Sequence, residues 1–261
     1  MSWSSIKTEG LVLAVVPVRE ADRRYAILTP QHGKLDVLGR GAQKGLAKLA
    51  AHLEPFGLVQ VEFIRGRRST TVISVDRSHI FRNLAANLER RLLATTSLTL
   101  LDRFTRELAE DEVLYHDAVS WMHFLDVDAP LSSTRATFFL GAFLLRLLKR
   151  QGYDISLLRC VGCREDIMPL AFRWHAGKGG LVCTDCVRRD PAEWFSARSA
   201  EEEVIKLLRF ARDAGYDDLT RPSLKATDME TFANMVHDLV AFHLPGYYNR
   251  PFWEGILADE D

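Results

Sequence analysis

The chain has 261 residues, of which 47% are hydrophobic and 26% are charged, with 16 glycines and 9 prolines. These ordinary values argue against a disordered or a fibrous protein, and the length favours two domains over one. The net charge is −1, but residues 1–78 carry +5 and the remainder carries −6, which favours a polyanionic partner for the first part.

The first third of the sequence predicts a small barrel. Apolar, alternating or β-branched runs predict five strands, at 11–18, 25–29, 34–39, 59–63 and 70–75. An Ala/Leu/Lys-rich stretch at 42–53, stopped by Pro55, predicts one helix between the third and fourth strands. This pattern is typical of the OB-fold, a Greek-key barrel whose common role is to hold oligonucleotides.

From Phe81 onward the apolar residues recur at helical spacing. We predict a long helical segment ending near Ala109, a shorter helix at 113–126, and an apolar helix that is capped by Ser132 or Ser133 and is central in a bundle. A Ser199–Glu202 capping box predicts a further helix, and 227–244 predicts the last. The predicted fold class is multidomain α+β, with an OB-fold barrel at 1–78, a helical domain at 79–156 and 191–261, and an inserted zinc ribbon at 157–190.

The four cysteines of the chain form two CxxC pairs separated by 19 residues, a spacing typical of a four-thiolate zinc ribbon. Glycines beside the pairs, at Gly162, Gly179 and Gly180, suit the turns that such a ribbon needs. Four sulfur ligands leave no open position for a reacting water, so we predict one structural zinc per chain. His175 lies between the pairs and is interpreted as a packing residue. The predicted ligands are Cys160, Cys163, Cys183 and Cys186.

A redox role for the cysteines is disfavoured. A thioredoxin-like CxxC begins a helix in a βαβ unit, and we expect neither pair to do so. With only 4 cysteines a disulfide framework is not indicated, and no apolar run suggests a leader peptide or a membrane span. We therefore expect a cytoplasmic protein without a membrane partner.

No catalytic motif is found in the sequence. Gly39, Gly41 and Gly45 match neither a P-loop nor GxGxxG, and neither HExxH nor GxSxG occurs. Asp126 and Asp128 are interpreted as solvated loop acids. The sequence therefore predicts a protein that is not an enzyme.

Cations cluster in the loops and the helix of the predicted barrel, as contacts to backbone phosphates require. Of the aromatic residues there, Trp3, Tyr25 and Phe56 are candidates for stacking on bases, whereas the apolar phase of its strand places Phe63 in the core. The residues predicted to bind DNA are Arg19, Arg23, Arg24, Lys34, Arg40, Lys44, Lys48, Arg65, Arg67 and Arg68.

Several segments resemble a known family over the whole chain. They are 18–23 (VREADR), 28–35 (LTPQHGKL), 39–42 (GRGA), 53–56 (LEPF), Gly152–Tyr153, the first CxxC, 179–186 (GGLVCTDC) and a last helix running into 247–257. In content and order they are similar to the RecO family of bacterial DNA repair proteins.

The resemblance implies a recombination mediator with an OB-fold, a helical domain and a zinc ribbon. It implies binding of single- and double-stranded DNA, annealing of complementary strands, and loading of the RecA recombinase together with RecR and the C-terminal tail of the single-strand binding protein SSB, without any nucleotide. RecF is a further implied partner, and the implied location is the bacterial nucleoid. Two alternatives stay open: a protein-interaction scaffold, and a zinc-ribbon transcription or translation factor, which an RNA preference would favour.

Overall fold

The computed structural model describes residues 5–18, 21–41, 48–66 and 69–243. Contacts between residues group the chain into two compact units, Met1–Ala129 and Pro130–Asp261. The predicted boundaries of the barrel, the helical domain and the ribbon stay a prediction. No helix among the described residues is long and apolar enough to cross a membrane.

The first unit contains a closed barrel of five strands in the order β1-β2-β3-β5-β4, and β1 also pairs with β4. All neighbours are antiparallel except β3 and β5, which pair in parallel through Val37 and Leu38. One short helix, α1, lies between β3 and β4 in the chain. This arrangement confirms the predicted OB-fold. The elements are β1 (Ser5–Pro17), β2 (Arg23–Thr29), β3 (Gly33–Gly39), α1 (Lys48–His52), β4 (Gly57–Arg65) and β5 (Thr70–Ile80).

Strand β1 is longer than the apolar run that predicted it, because it has two partners. Its first half pairs with β4 and its second half pairs with β2, with a shift of register between Val12 and Ala14. Gly10 lies beside this change of partner, where a Cβ would lie 2.4 Å from the Cγ2 atom of Ile27. The polar residues of the first half carried no apolar signal, so the sequence placed the start of the strand six residues too late.

Alternation along the strands fills the barrel with apolar side chains. On β4 the inward residues Val59, Val61 and Phe63 are fully buried, while the residues between them reach the surface. Tyr25 is also fully buried in this core. The prediction for Phe63 is confirmed, whereas Tyr25 cannot stack on a base.

Three helices and a π-helical turn complete the first unit. The predicted long helix is divided at Asn87, whose extended backbone (φ −106°, ψ 127°) ends α2, while its side chain accepts a hydrogen bond from the N–H of Arg90 at 3.0 Å. Asparagine is a preferred N-cap, so the sequence did carry this signal. The elements are α2 (Arg82–Ala86), α3 (Leu88–Phe104), α4 (Glu112–His123) and the π-helical turn (Phe124–Asp128).

Asp126 caps α2, so its interpretation as a solvated loop acid is wrong. Its Oδ1 accepts hydrogen bonds from the N–H of Asn83 at 2.8 Å and from the N–H of Leu84 at 3.0 Å. These N–H groups have no partner within the helix, because they belong to its first turn.

We expect Asp126→Ala to lower the free energy of unfolding by about 1–2 kcal/mol, since a first-turn cap is lost. Urea unfolding followed by circular dichroism measures this change. Glu110→Ala removes an exposed carboxylate of the same unit and serves as the control. Equal midpoints for both variants would show that the cap contributes nothing.

The second unit is built around α5, as the sequence predicted. Twelve of its 18 residues are buried, and it packs against both α7 and α8. Gly141 allows this approach, because a Cβ there would lie 2.3 Å from the ring of Phe232. Ser132 caps the helix by accepting a hydrogen bond from the N–H of Arg135 at 3.3 Å. The elements are α5 (Ser133–Arg150), β6 (Phe172–His175), β7 (Gly180–Cys183), α6 (Thr184–Arg189), α7 (Glu202–Asp213) and α8 (Ala226–His243).

The predicted capping box of α7 is wrong. The N-cap is Glu201, which makes no side-chain capping bond, so Ser199 lies two residues too early to take part. The glutamates of the first turn still favour the helix start through its dipole.

Candidate metal centre and nucleic-acid interface

The four cysteines of the second unit converge on one point. Their ligand atoms all lie within 4.8 Å of one another. The Sγ atoms of Cys160 and Cys186 are 3.8 Å apart, and those of Cys163 and Cys183 are 3.9 Å apart. A tetrahedral zinc ion with Zn–S bonds of ~2.3 Å places its sulfurs about 3.8 Å apart. The cluster therefore has the size of a thiolate shell around one metal ion, and it fits zinc.

Two different local structures present the sulfurs. Cys160 and Cys163 lie on a tight turn, in which the N–H of Arg164 donates to the carbonyl of Cys160 at 3.0 Å. Gly162 lies inside this turn. A larger residue would crowd the cluster there, because its Cβ would be 3.1 Å from the Sγ of Cys186. Cys183 ends the antiparallel hairpin β6–β7 and is the N-cap of α6, which contains Cys186. The second pair does begin a helix, but that helix follows a hairpin and is not part of a βαβ unit, as expected.

Backbone N–H groups favour a thiolate at Cys160, whereas burial and the neighbouring sulfurs oppose a thiolate at Cys186. Burial disfavours ionisation of Cys160, but N–H donors, including those of Cys183 and Gly162 at 3.3 Å, outweigh it and lower the pKa of this thiol to about 6. Burial and the three neighbouring sulfurs raise the pKa of Cys186 to about 12. Four thiolates cannot coexist here without a cation, since like charges at this distance repel.

His175 packs beside the cluster and is not part of it. It is buried, and its ring meets the edge of Trp194 at 5.6 Å between ring centroids. Its Nδ1 accepts a hydrogen bond from the N–H of Lys178 at 3.1 Å, so the neutral ring carries its proton on Nε2, 3.0 Å from the Oγ of Ser196. In that tautomer the ring donates to the hydroxyl, so it cannot accept a proton from Ser196. Trp194 packs against both His175 and the cysteine turn, and sequence reasoning missed it because no spacing pattern links it to the cysteines.

The structure gives the predicted cations of the barrel different environments. Arg23 pairs with Glu54 at 3.3 Å, and Arg24 pairs with Asp36 at 3.8 Å. Arg40 and Arg65 are exposed, and no ion pair is found for either within the described ranges. Lys48 begins α1, and Arg19, Lys44, Arg67 and Arg68 lie outside the described residues.

Lys34 holds the barrel to α3. Its Nζ donates to the carbonyl of Asp102 at 2.5 Å and to the Oδ1 of the same residue at 3.1 Å, and its side chain is 13% exposed. The carbonyl of Lys34 accepts a further bond from the N–H of Leu108 at 2.9 Å. The ammonium group of Lys34 is thus already occupied by structural hydrogen bonds to Asp102.

A cleft of about 400 Å³ on the barrel is lined by one residue of the predicted set. It lies where the loop after β1, strand β3 and the β4–β5 hairpin meet, and Arg24 is the predicted residue that lines it. Arg65 pairs with Thr70 at the base of the same hairpin. Strands 2 and 3 and the loops between strands 1 and 2 and strands 4 and 5 form the usual oligonucleotide face of an OB-fold. The lining residues are Val18, Arg24, Asp36, Val37, Leu38, Gly66, Ser69, Thr70 and Glu107.

Known proteins match the chain along most of its length. The family "Recombination protein O N terminal" matches residues 1–81, and "Recombination protein O C terminal" matches residues 85–250. The DNA repair protein RecO of Geobacter metallireducens is 30% identical over 184 residues, which are 70% of this chain and 73% of that protein. RecO of Geobacter sulfurreducens is 31% identical over 183 residues, again 70% and 73%. RecO of Dehalococcoides mccartyi strain BAV1 is 22% identical over 247 residues, which are 95% and 94% of the two chains.

These matches confirm the resemblance seen in the sequence, and they agree with the barrel and the cysteine cluster of the structure. The chain belongs to the RecO family of proteins of DNA repair and recombination.

Proposed function

We propose that the protein is a DNA-binding recombination mediator that anneals complementary strands and assists RecA loading together with RecR and SSB. The observation that carries the proposal is the cleft on the oligonucleotide face of the OB-fold barrel, next to which exposed arginines lie. A single strand in this cleft would have Arg24 beside it and Arg65 at the base of the adjoining hairpin.

The charges on the barrel also favour a phosphate ligand. Arg40 and Arg65 are exposed without a carboxylate partner in the described part of the chain, so a phosphate would not have to displace one. Arg23 and Arg24 already have carboxylate partners, which a bound phosphate would have to replace. We therefore assign more of the affinity to Arg40 and Arg65 than to Arg23 and Arg24.

We propose that the cysteine cluster holds one zinc ion and that this ion is structural. Four sulfur ligands complete a tetrahedral shell, so no position remains for a substrate or a reacting water. The ion would hold the turn at Cys160 and the hairpin end at Cys183 together, around a small core that includes Val182 and Trp194. We propose that the protein is not an enzyme, as its sequence predicts.

The proposed partners are single- and double-stranded DNA, RecR, the C-terminal tail of SSB, and RecF. We propose that the protein works on DNA in the bacterial cytoplasm, at the nucleoid. These finer statements rest on the family, whose members are DNA repair proteins.

One observation favours the alternative of a protein-interaction scaffold. Several large apolar side chains of the second unit are exposed around the ribbon, among them Leu170 at 84% and Phe195 at 86%. Exposed apolar groups often mark contacts with other proteins. DNA contact would then be secondary.

Fluorescence anisotropy with labelled single-stranded DNA and with RNA of the same sequence, together with an annealing assay, tests the proposal. We expect the full chain to bind DNA and to accelerate annealing equally with and without ATP. Loss of DNA binding would favour the scaffold, and tighter binding to RNA would favour a transcription or translation factor.

A further inference from the structure

A second cleft of the first unit lies at the far end of β5 and is lined by positive charge. It encloses about 520 Å³, and its lining includes two arginines and two histidines but no carboxylate. Its size is within the range of ligand sites, which hold ~300–1,000 Å³. The polar lining residues are His52, Arg77, Ser78, His79 and Arg82, and we call this site the β5-end cleft.

A bulge in β5 explains how neighbouring residues of one strand reach the same cleft. In a regular strand, successive side chains point to opposite faces. Here Arg77 pairs with Val59 and His79 pairs with Leu58, so Ser78 is an extra residue without a partner on β4. Bulges redirect side chains in this way and are frequent beside functional sites. The bulge thus lets three successive residues, Arg77, Ser78 and His79, line one cleft.

Arg77 is held in place by the end of α1. Its Nε donates to the carbonyl of His52 at 3.3 Å, and its Nη2 donates to the carbonyl of Ala51. These carbonyls belong to the last turn of the helix and have no partner within it. The guanidinium is therefore fixed at one wall of the cleft before any ligand arrives.

The imidazole of His79 rests on other rings. It meets the edge of the buried Phe81 at 4.7 Å and lies 5.2 Å from the ring of His123, measured between centroids. Both His79 and Arg82 are exposed on their other side, so a ligand can reach them from solvent. Solvent-facing donors in a cleft whose described lining contains no carboxylate are the features of an anion site.

The histidines do not form a metal site. Among the described residues, only the four cysteines of the second unit form a cluster with metal-ligand geometry. Asp126, in the π-helical turn, already accepts hydrogen bonds from two N–H groups of α2. An anion is therefore the ligand that the charge of this cleft suits.

We propose that the β5-end cleft binds a backbone phosphate of nucleic acid, through Arg82, His79 and His52, with Arg77 as a fixed positive wall. The inference rests on the proposed DNA binding and extends it to residues outside the predicted set. Guanidinium groups pair with phosphate oxygens in a bidentate way, and imidazole N–H groups add further donors. Arg77 lies seven residues along β5 from Thr70, or about 23 Å, so this contact is separate from the cleft at the hairpin.

Variants that remove the positive charge test this phosphate contact. We expect Arg82→Gln to make the salt dependence of single-stranded DNA binding shallower by about 0.7 in log K against log salt, as one lost phosphate contact requires. When salt rises from ~50 to ~200 mM, the fold-loss of affinity of the variant should thus be about 2.6 times smaller than that of the parent. Fluorescence anisotropy on the full chain measures both slopes.

The histidines add a second readout. Both imidazoles offer an N–H donor to a phosphate oxygen, so a His52→Gln, His79→Gln variant should bind single-stranded DNA about threefold more weakly than the parent at one fixed pH, as the loss of a modest hydrogen-bond contribution implies.

Matched substitutions separate the cleft from general charge effects. Arg91→Gln removes an exposed arginine of α3, and His116→Gln removes an exposed histidine of α4; both should bind like the parent. If the parent binds DNA but Arg82→Gln and the histidine variant equal these controls, the β5-end cleft is not a phosphate site, and the proposed function stands. If the parent does not bind DNA at all, both proposals fall.

Discussion

Replacing Cys160 with serine is expected to abolish metal binding and to unfold the ribbon. The purified parent should hold one zinc per chain by elemental analysis, and the variant should hold almost none, because the tetrahedral shell loses a thiolate. Structural zinc contributes ~10–16 kcal/mol to the folding of zinc-finger peptides. We therefore expect a thermal transition of the second unit at far lower temperature, accompanied by aggregation.

His175→Gln is the matched control for this experiment. It changes a buried polar residue of the same ribbon that lies outside the sulfur cluster, so the zinc content should remain one per chain even if the packing on Trp194 weakens. Native protein that was purified without chelators and contains no metal would contradict the zinc proposal. So would a Cys160→Ser variant with full metal content.

The order of strands and helices was predictable because the apolar period is a local property of the sequence. The barrel, the central α5 and the cap at Ser132 all follow from such local patterns. The wrong predictions concern residues whose structure depends on a partner that is distant in the sequence. The polar half of β1 is a strand because β4 pairs with it, and Asp126 is a cap because α2, which lies forty residues earlier, meets it.

The cysteine cluster was predictable to the residue, because the spacing of CxxC pairs reports directly on the geometry of the ligands. The proposed nucleic-acid face was not. Sequence reasoning counted cations without their partners, so Lys34 counted equally with Arg40, although only the structure shows Lys34 bound to Asp102. It also did not single out Arg77 or His79, because the predicted strand ended at residue 75 and the apolar pattern does not reveal the bulge at Ser78.

The strongest effect on DNA binding is expected from salt. If the protein neutralises about four phosphates of a single strand, log K should fall with log salt at a slope near −2.8, so affinity should drop roughly 50-fold between ~50 and ~200 mM salt. Arg40→Gln, Arg65→Gln removes two of these contacts. Its slope should be near −1.4, with a drop of only about sevenfold. Phosphate contacts carry no base information, so the loss should be similar for every sequence, and annealing should slow in parallel.

The choice of control for this variant follows from the structure. Arg221 is exposed and pairs with Asp218 in the second unit, so Arg221→Gln should leave the slope unchanged. Arg212 is unsuitable, because it donates to the carbonyl of Ile155 and its side chain is 14% exposed; its loss would disturb folding. Lys34→Gln should likewise destabilise the first unit more than it changes the slope. If the Arg40, Arg65 variant binds and anneals like the parent at every salt concentration, these arginines do not contact DNA. A protein-interaction scaffold then becomes the better hypothesis for the function.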